Sequence, residues 1–260
     1  MLDGYENFKL KIFKLTGIDL SSYKERQMKR RINSLIRRNN YNSYESFYTA
    51  LTVDDDLYDE FINYLTINVS EFYRNPSQWA VLEKEIIPEL LKYNRRLKIW
   101  SSACSTGEEP YSLVMLMTRF QDLSSIQILA TDIDLGAIEK AKIGVYNEKS
   151  LANLPKDFVS RFFEKSGVYY KIKDEIKNRV EFKQHNLLED KYPKNCDLIV
   201  CRNVLIYLTE EAKSDIYHKF RESLTDKGIL FVGSTEQIIM SQKFKLEPLK
   251  TFFYKKIEEE

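Results

Sequence analysis

The sequence predicts an α/β protein: a doubly wound sheet with a small antiparallel β-subdomain inserted, preceded by a small all-α N-terminal domain. Three observations carry that reading. Residues 1–67 repeat apolar residues at helical spacing and hold no convincing strand pattern. From Leu97 onward strand candidates alternate with helix candidates, the texture of βα units and a parallel sheet. Residues 97–120 read as a strand, a loop of small residues and a helix, and the strand after them ends on an acid, Asp132.

The N-terminal helices follow from Phe8, Ile12 and Phe13, from Met28, Ile32, Leu35 and Ile36, from Phe47 and Leu51, and from Leu57, Phe61 and Leu65. Gly17 and Asn39–Asn40 punctuate them, and Ser43 and Asp54 suit helix N-caps. After TINVSEFYRNP another helix is expected over Ser77–Leu91, ending near Tyr93–Asn94. Sheet strands are expected at Leu97–Ala103, Ile126–Thr131, Asp197–Cys201 and Gly228–Gly233. Helices are expected at Glu108–Phe120, Leu135–Ile143 and Glu210–Leu224. Residues 168–184, VYYKIKDEIKNRVEFKQ, read as short antiparallel strands turning at Lys173–Asp174 or Asn178, so the β-subdomain is placed at about 166–184. FKLEPLKTFFYKK reads as a hairpin closing the sheet edge, and Glu258–Glu260 as a frayed tail. The expected division is 1–70 helical, 71–94 interdomain linker and helix, and 95–260 the α/β domain.

At 260 residues the chain is long enough for a sizeable core and for one large domain with a smaller one. A hydrophobic share of 43% beside a charged share of 30% is that of an ordinary globule. A net charge of +1 supplies no global field to draw nucleic acid. No apolar run approaches the ~20 residues of a membrane span, and MLDGYENFKLKIF lacks the apolar core of a secretory leader. Cys104, Cys196 and Cys201 are odd in number and lack metal-ligand spacing, which points to a reducing cytoplasm and no metal.

The stretch LKIWSSACSTGEEPYS (97–112) poses the chemical question. Helix N-termini attract phosphate, yet this one begins with Glu108 and Glu109. A single glycine, Gly107, is a poor match to G-x-G-x-x-G, and two carboxylates would repel a pyrophosphate. Asp132, about 25 residues on, suits both hydroxyls of a ribose. A ligand with a ribose, no phosphate and positive charge fits, and S-adenosylmethionine is one, with Glu108 the carboxylate expected to face its methionine end. Two acids that simply complement the helix macrodipole are the competing reading, and for the loop alone the commoner one.

Six segments occur in one order: NVSEFYR (68–74), WSSACSTGEEPYS (100–112), ATDID (130–134), HNLL (185–188), CRNVLIY (201–207) and LFVGSTEQ (230–237). Together they resemble the CheR family, the chemotaxis receptor glutamate O-methyltransferases of bacteria, over nearly the whole chain. The resemblance implies a Rossmann-like methyltransferase sheet behind a helical N-terminal domain. It implies S-adenosylmethionine as cofactor, S-adenosylhomocysteine as product, and no metal. The implied substrates are glutamates on the cytoplasmic methylation helices of methyl-accepting chemotaxis proteins. Asn68, Ser70, Arg74, Glu108, Asp132, Asn186, Leu187, Arg202 and Asn203 are implied at the cofactor. Among them Asn186 and Leu187 are expected near the adenine, and Arg202 and Asn203 near the transferring end, with Tyr207 beside the substrate pocket. Members that dock on a receptor's C-terminal pentapeptide carry a longer, glycine-bearing loop in the β-subdomain. IKDEIKN is short and glycine-free, so the chain resembles the pentapeptide-independent type. A cytoplasmic monomer that neither enters a membrane nor binds nucleic acid is expected.

The chemistry fits the residue types. A glutamate acceptor, with an unperturbed pKa of about 4.3, is already an anion at pH 7 and needs no general base. His185 and His218 accordingly read as structural. Arg74 and Arg202 are the candidates to hold the incoming carboxylate by paired hydrogen bonds. For Arg74 the cofactor's own carboxylate is the alternative partner, and for Arg202 an ion pair with Asp132 or Asp134. Cys201 reads as a small core residue. YKERQMKRRINSLIRR (23–38) sets Lys29, Arg30, Arg31, Arg37 and Arg38 on one helix, a dock for an acidic surface or a solvated amphipathic face. Two rivals keep the fold. An RNA or small-molecule acceptor is motivated by the basic helix. A cofactor-sensing adaptor without catalysis is opposed by the intact set Glu108, Asp132, Asn203 and Tyr207.

Overall fold

The computed structural model describes residues 4–233 and 236–257. The expected frayed tail, Glu258–Glu260, and Ser234–Thr235 of the last motif lie outside the described residues. The chain forms two compact units, Met1–Asn68 with Val204–Asp215, and Val69–Asn203 with Ile216–Glu260.

The first unit contains α1 (Tyr5–Thr16), α2 (Glu25–Arg38), α3 (Tyr44–Leu51) and α4 (Asp55–Thr66). Local sequence explains their limits. The Ser43 hydroxyl accepts from the Ser46 N–H at 3.1 Å, and the Asp54 carboxylate from the Leu57 N–H at 2.9 Å. Both satisfy donors that a helix start leaves open. Gly17 closes α1 in left-handed conformation, its N–H reaching the Phe13 carbonyl. The apolar stripes meet in a core where Phe8 and Phe47 set their rings edge-on to Phe61, at 6.3 and 5.8 Å. Phe13 departs from the expected stripe and is 43% exposed, because Tyr5, Phe8 and Ile12 already fill the inward face of α1.

One segment expected in the α/β domain belongs to this helical unit. Residues 204–209 pair with 22–24: Lys24 N–H donates to the Tyr207 carbonyl and Thr209 N–H to the Ser22 carbonyl, each at 2.9 Å. The Lys24 ammonium caps the Ile206 carbonyl at 2.9 Å. Backbone hydrogen bonds, which the motif CRNVLIY does not reveal, thus place its second half with the N-terminal helices.

The second unit opens with a helical stretch, α5 (Pro76–Val81), a π-helical turn (Leu82–Ile86) and α6 (Ile87–Leu91). The turn widens where Pro88 supplies no N–H. Then follow β1 (Ile99–Ser101), α7 (Glu108–Met117), β2 (Ile128–Asp132), α8 (Leu135–Ile143) and β3 (Val145–Asn147). Next come α9 (Lys156–Phe162), β4 (Phe163–Ser166), β5 (Tyr169–Ile172), α10 (Asp174–Lys177), β6 (Val180–Gln184) and β7 (Cys196–Cys201). The chain continues through α11 (Glu210–Ser223), β8 (Leu224–Val232), β9 (Leu246–Lys250) and β10 (Phe253–Lys256). The large sheet has the order β6-β2-β1-β7-β8-β10-β9, with every pair from β6 to β8 parallel. β10 is antiparallel to both neighbours, the expected edge hairpin. All six residues of β7 are buried, Asp197 among them with its carboxylate accepting from the Lys98 N–H at 2.8 Å and the Asn94 side chain at 3.0 Å. Between β1 and β7 the winding reverses, the place where such sheets leave a crevice at their strand ends.

The antiparallel subdomain lies earlier than the sequence suggested. The small sheet is β3-β5-β4, spanning 145–172, and β6 instead joins the large sheet beside β2. Phe182 explains why, since it packs against the main core from β6. Segment 174–177, expected to be a turn, is the short helix α10. The hairpin turns at Gly167–Val168, between the paired residues Ser166 and Tyr169, with Gly167 at φ 61. Glycine at the first position of a two-residue hairpin turn supplies the positive φ that strand twist favours. The glycine-free loop IKDEIKN is therefore not the loop of this hairpin.

Candidate functional site

The loop after β1 is built by its neighbours. Cys104 N–H donates to the Thr131 carbonyl and Gly107 N–H to the Cys104 carbonyl, both at 2.9 Å. The buried Tyr146 hydroxyl, from β3, holds the Thr106 carbonyl at 2.7 Å. Gly107 stands at φ 93, and a Cβ there would lie 2.9 Å from the Ala141 Cβ and 3.0 Å from the Tyr111 ring. Only glycine meets both demands at this N-cap.

Asp132 ends β2 buried beneath the loop. One oxygen accepts from the Ser105 N–H at 2.8 Å, the other from the Asp134 N–H at 3.0 Å. Burial nevertheless pushes its pKa up to about 6. Two backbone bonds leave room on a carboxylate with about four acceptor positions. His185 N–H donates to the Asp132 carbonyl at 2.9 Å, which sets Asn186 and the buried Leu187 beside it. The Asn186 side-chain oxygen accepts from the Leu188 N–H at 3.0 Å. Burial lowers the pKa of His185, which keeps that ring neutral.

The paired glutamates face different partners. Glu108 is buried, accepts from the Thr106 hydroxyl at 2.7 Å and from the Ser70 hydroxyl, and has its pKa raised by burial. Glu109 accepts from the Ser101 hydroxyl at 2.8 Å and stands 3.8 Å from the Arg202 guanidinium. Burial raises its pKa too, against the pull of that cation.

Arg202 meets several partners within the protein. One terminal nitrogen donates to the Arg74 carbonyl at 2.7 Å and to the Asn75 and Gln78 side chains at 3.0 Å. The guanidinium lies 4.8 Å above the Phe231 ring. Its charged partner is Glu109, not Asp132 or Asp134, and its Nε is buried without a partner among the described residues. Arg74 is less confined: its side chain donates to the Val69 carbonyl at 3.2 Å, lies 4.0 Å from Glu71, and is one-third exposed. Asn203 is left-handed at φ 62, with its N–H held by Glu236, and its side-chain oxygen is buried without a partner among the described residues.

Of the residues expected at the cofactor, Ser70, Arg74, Glu108, Asp132, Asn186, Leu187, Arg202 and Asn203 belong to the second unit. Asn68 and Tyr207 belong to the first. There Asn68 donates to Thr66 at 3.0 Å, and Tyr207 is half-buried. Sequence reasoning missed Glu109, Gln78 and Glu236 as partners of the site. Glu109 and Glu236 stood inside quoted motifs, but nothing in their spacing says which cation or amide they meet. The second-unit residues leave acceptors in excess, at Asp132, Glu108 and Asn203, a set suited to a ligand that brings hydroxyls and positive charge.

In the first unit, Arg26, Lys29, Arg30, Asn33, Ser34 and Arg37 line a groove of about 560 Å³ along α2. Their spacing of three to four residues puts them on one face. Arg31 and Arg38 turn away from it: Arg31 donates to the Tyr64 carbonyl and stacks 4.5 Å over the Tyr64 ring, and Arg38 pairs with Glu60. The five expected docking residues thus divide, with Lys29, Arg30 and Arg37 on the groove and the other two packed onto α4. Arg26, of the same basic stretch, also lines the groove.

Residues 3–66 match the family model described as CheR methyltransferase, all-alpha domain, and residues 68–253 match CheR methyltransferase, SAM binding domain. A chemotaxis protein methyltransferase of Listeria monocytogenes is 45% identical over 239 residues, covering 92% of this chain and 91% of the relative. One of Listeria innocua is 46% identical over the same shares of each chain. One of Borreliella burgdorferi is 32% identical over 85% of this chain and 83% of its own.

Proposed function

The chain belongs to the CheR methyltransferase family, and on that premise we propose that it methylates glutamate side chains of chemoreceptors, giving γ-glutamyl methyl esters and S-adenosylhomocysteine. The observation that carries the reading is the pair of buried carboxylates, Asp132 at the end of β2 and Glu108 at the start of α7, with no arginine or lysine bonded to either among the described residues. Burial without a cation raises both pKa values, so a positively charged ligand rich in donors is the natural complement.

S-adenosylmethionine, when bound, supplies a methyl group on positively charged sulfur open to in-line attack. The protein's part is placement. Asp132 accepts from the ribose hydroxyls, Glu108 faces the ammonium, and the Asn203 side-chain oxygen takes a further donor. Ser70 orients Glu108, and Leu187 and Asn186 border the adenine. Arg74 holds a carboxylate, either the acceptor glutamate's or the cofactor's own. Asn68 and Tyr207 are proposed for the same reaction on the resemblance of their motifs alone. The acceptor arrives ionised, so no side chain has to remove a proton. Orientation of two reactants is worth about 7–11 kcal/mol in well-aligned systems.

The groove on α2 is the proposed dock for the acidic methylation helices, because opposite charge steers encounter. The two-residue turn of the β4–β5 hairpin is short, which favours docking without a C-terminal pentapeptide tether, now on length alone. Such acceptors place the protein in the cytoplasm, and we take it to act as a monomer. Among the described residues no helix is long and apolar enough to cross a membrane.

The test uses methyl-labelled S-adenosylmethionine with membranes bearing the host's receptors. Label on receptor bands that mild alkali releases as methanol is the expected result. Label that resists alkali, or none on receptors, overturns the glutamate assignment and sends the search to RNA.

A further inference from the structure

Tyr73 and Asn75 both hold left-handed backbone, at φ 52 and φ 60, with Arg74 between them. Neither is glycine, and such residues persist only where their surroundings over-determine them. Here the surroundings are specific. The Arg74 carbonyl accepts from the Arg202 guanidinium at 2.7 Å and from the Trp79 indole at 3.1 Å. The same Arg202 nitrogen reaches the Asn75 and Gln78 side-chain oxygens at 3.0 Å. The Tyr73 ring stacks on Trp79 at 4.5 Å, and Tyr73 N–H donates to the Ser112 hydroxyl at 3.3 Å.

Arg202 is itself held. Phe231 lies under its plane at 4.8 Å, and Glu109 stands 3.8 Å from its other terminal nitrogen. The second Glu109 oxygen is fixed by Ser101, at the end of β1. A line of contacts therefore runs from the end of β1 through Glu109 and Arg202, at the end of β7, to the backbone of Arg74. An arginine suits this place because one terminal nitrogen serves the Arg74 turn while the other faces Glu109 across the same planar group, which a lysine's single nitrogen does not.

We infer that Glu109 and Arg202 are positioning residues: a buried clamp that holds the Tyr73–Asn75 backbone left-handed and so fixes where the Arg74 side chain points. The inference rests on the reading of Arg74 as the arm that grips a carboxylate. It explains why the helix begins with two glutamates: Glu108 serves the ligand and Glu109 serves the clamp.

Amide hydrogen exchange of the full chain, in wild type, Glu109→Gln and Arg202→Lys, tests it together with receptor methylation. Amides of 73–78 are expected to exchange at least tenfold faster in both variants, while β7 and β8 keep their protection. Methylation kcat should fall tenfold or more. In an Arg74→Ala background, Glu109→Gln should then change kcat by less than twofold, since its effect passes through Arg74. Unchanged exchange over 73–78 in both variants overturns the clamp, as do losses that multiply in the double variant. Faster exchange with undiminished methylation keeps the clamp and removes Arg74 from the reaction, which separates the failure of the functional reading from that of the clamp. Should β7 and β8 lose protection in these variants, Gln78→Ala withdraws one acceptor instead. Exchange over 73–78 about threefold faster supports the clamp, and unchanged exchange overturns it.

Discussion

The strand-end cluster and the groove on α2 use charge in opposite ways. At the strand ends Asp132, Glu108 and Arg202 are buried and bonded to named partners, and burial moves the pKa of each toward its neutral form. On α2, Arg26, Arg30 and Arg37 are exposed along a groove. Buried charge acts by position, at short range and little affected by salt. Exposed charge acts by number, at a distance, and is screened within about 8 Å at physiological ionic strength. A single substitution should therefore be severe in the first region and mild in the second.

The largest effect is expected at Gly107. Gly107→Ala forces a Cβ into a left-handed position already within 3.0 Å of Ala141 and Tyr111, and should cost about 2–4 kcal/mol in urea unfolding. A loss below 0.5 kcal/mol would mean that the loop is not rigid and that the contrast is overdrawn.

Next is the proton balance of Asp132. Its folded pKa is about 6, against about 3.9 in an unfolded chain. Between those values the folded state binds more protons than the unfolded, so this group's contribution to stability is full below pH 4 and falls as pH rises through 6. Relative to Asp132→Asn, wild type should lose on the order of 2–3 kcal/mol from pH 4 to pH 7. Parallel stability curves for the two proteins would show the carboxyl to be solvated rather than buried.

Asp132→Ala should weaken S-adenosylmethionine binding by about 1–3 kcal/mol, or about 5- to 150-fold, through lost ribose hydrogen bonds. Calorimetry giving wild-type affinity would remove Asp132 from the cofactor site.

The smallest effects belong to α2. Arg30→Glu with Arg37→Glu should lower kcat/KM for receptor about tenfold at low salt, the gap closing toward ~0.5 M salt, with cofactor affinity unchanged. Arg30→Ala alone should cost about two- to threefold. A tenfold loss from the single change, insensitive to salt, would make Arg30 a positional contact like those at the strand ends.

Much of this was legible in the residues. Ser43 and Asp54 cap helices because a hydroxyl or carboxylate before an apolar-periodic run has one obvious use. β7 follows from the apolar run LIVC, while the burial of Asp197 beside it rests on the Lys98 and Asn94 donors that only the fold supplies. Asp132 at the end of β2 and Gly107 before α7 are fixed by local strand and cap geometry. The small sheet was misplaced because VEFKQ and VYYKI have the same strand texture, and only packing against β2 tells which leaves the subdomain. Arg31 and Arg38 could not be told from Arg30 and Arg37 by charge, since what separates them is whether Tyr64 and Glu60 of α4 stand opposite.

The sequence by itself determined most helices and the parallel strands, the caps at Ser43 and Asp54, and the acids that end β2 and open α7, because those depend on periodicity and on bonds within a few residues. Tertiary structure alone decided that Glu109 answers Arg202 while Glu108 does not, that Arg202 spends its donors on the Arg74 turn, and that Tyr207 travels with the helical unit. Each of those is a choice of partner across about a hundred residues or more of chain, where residue type fixes what a group can bond to and only the fold brings one acceptor within 3–4 Å.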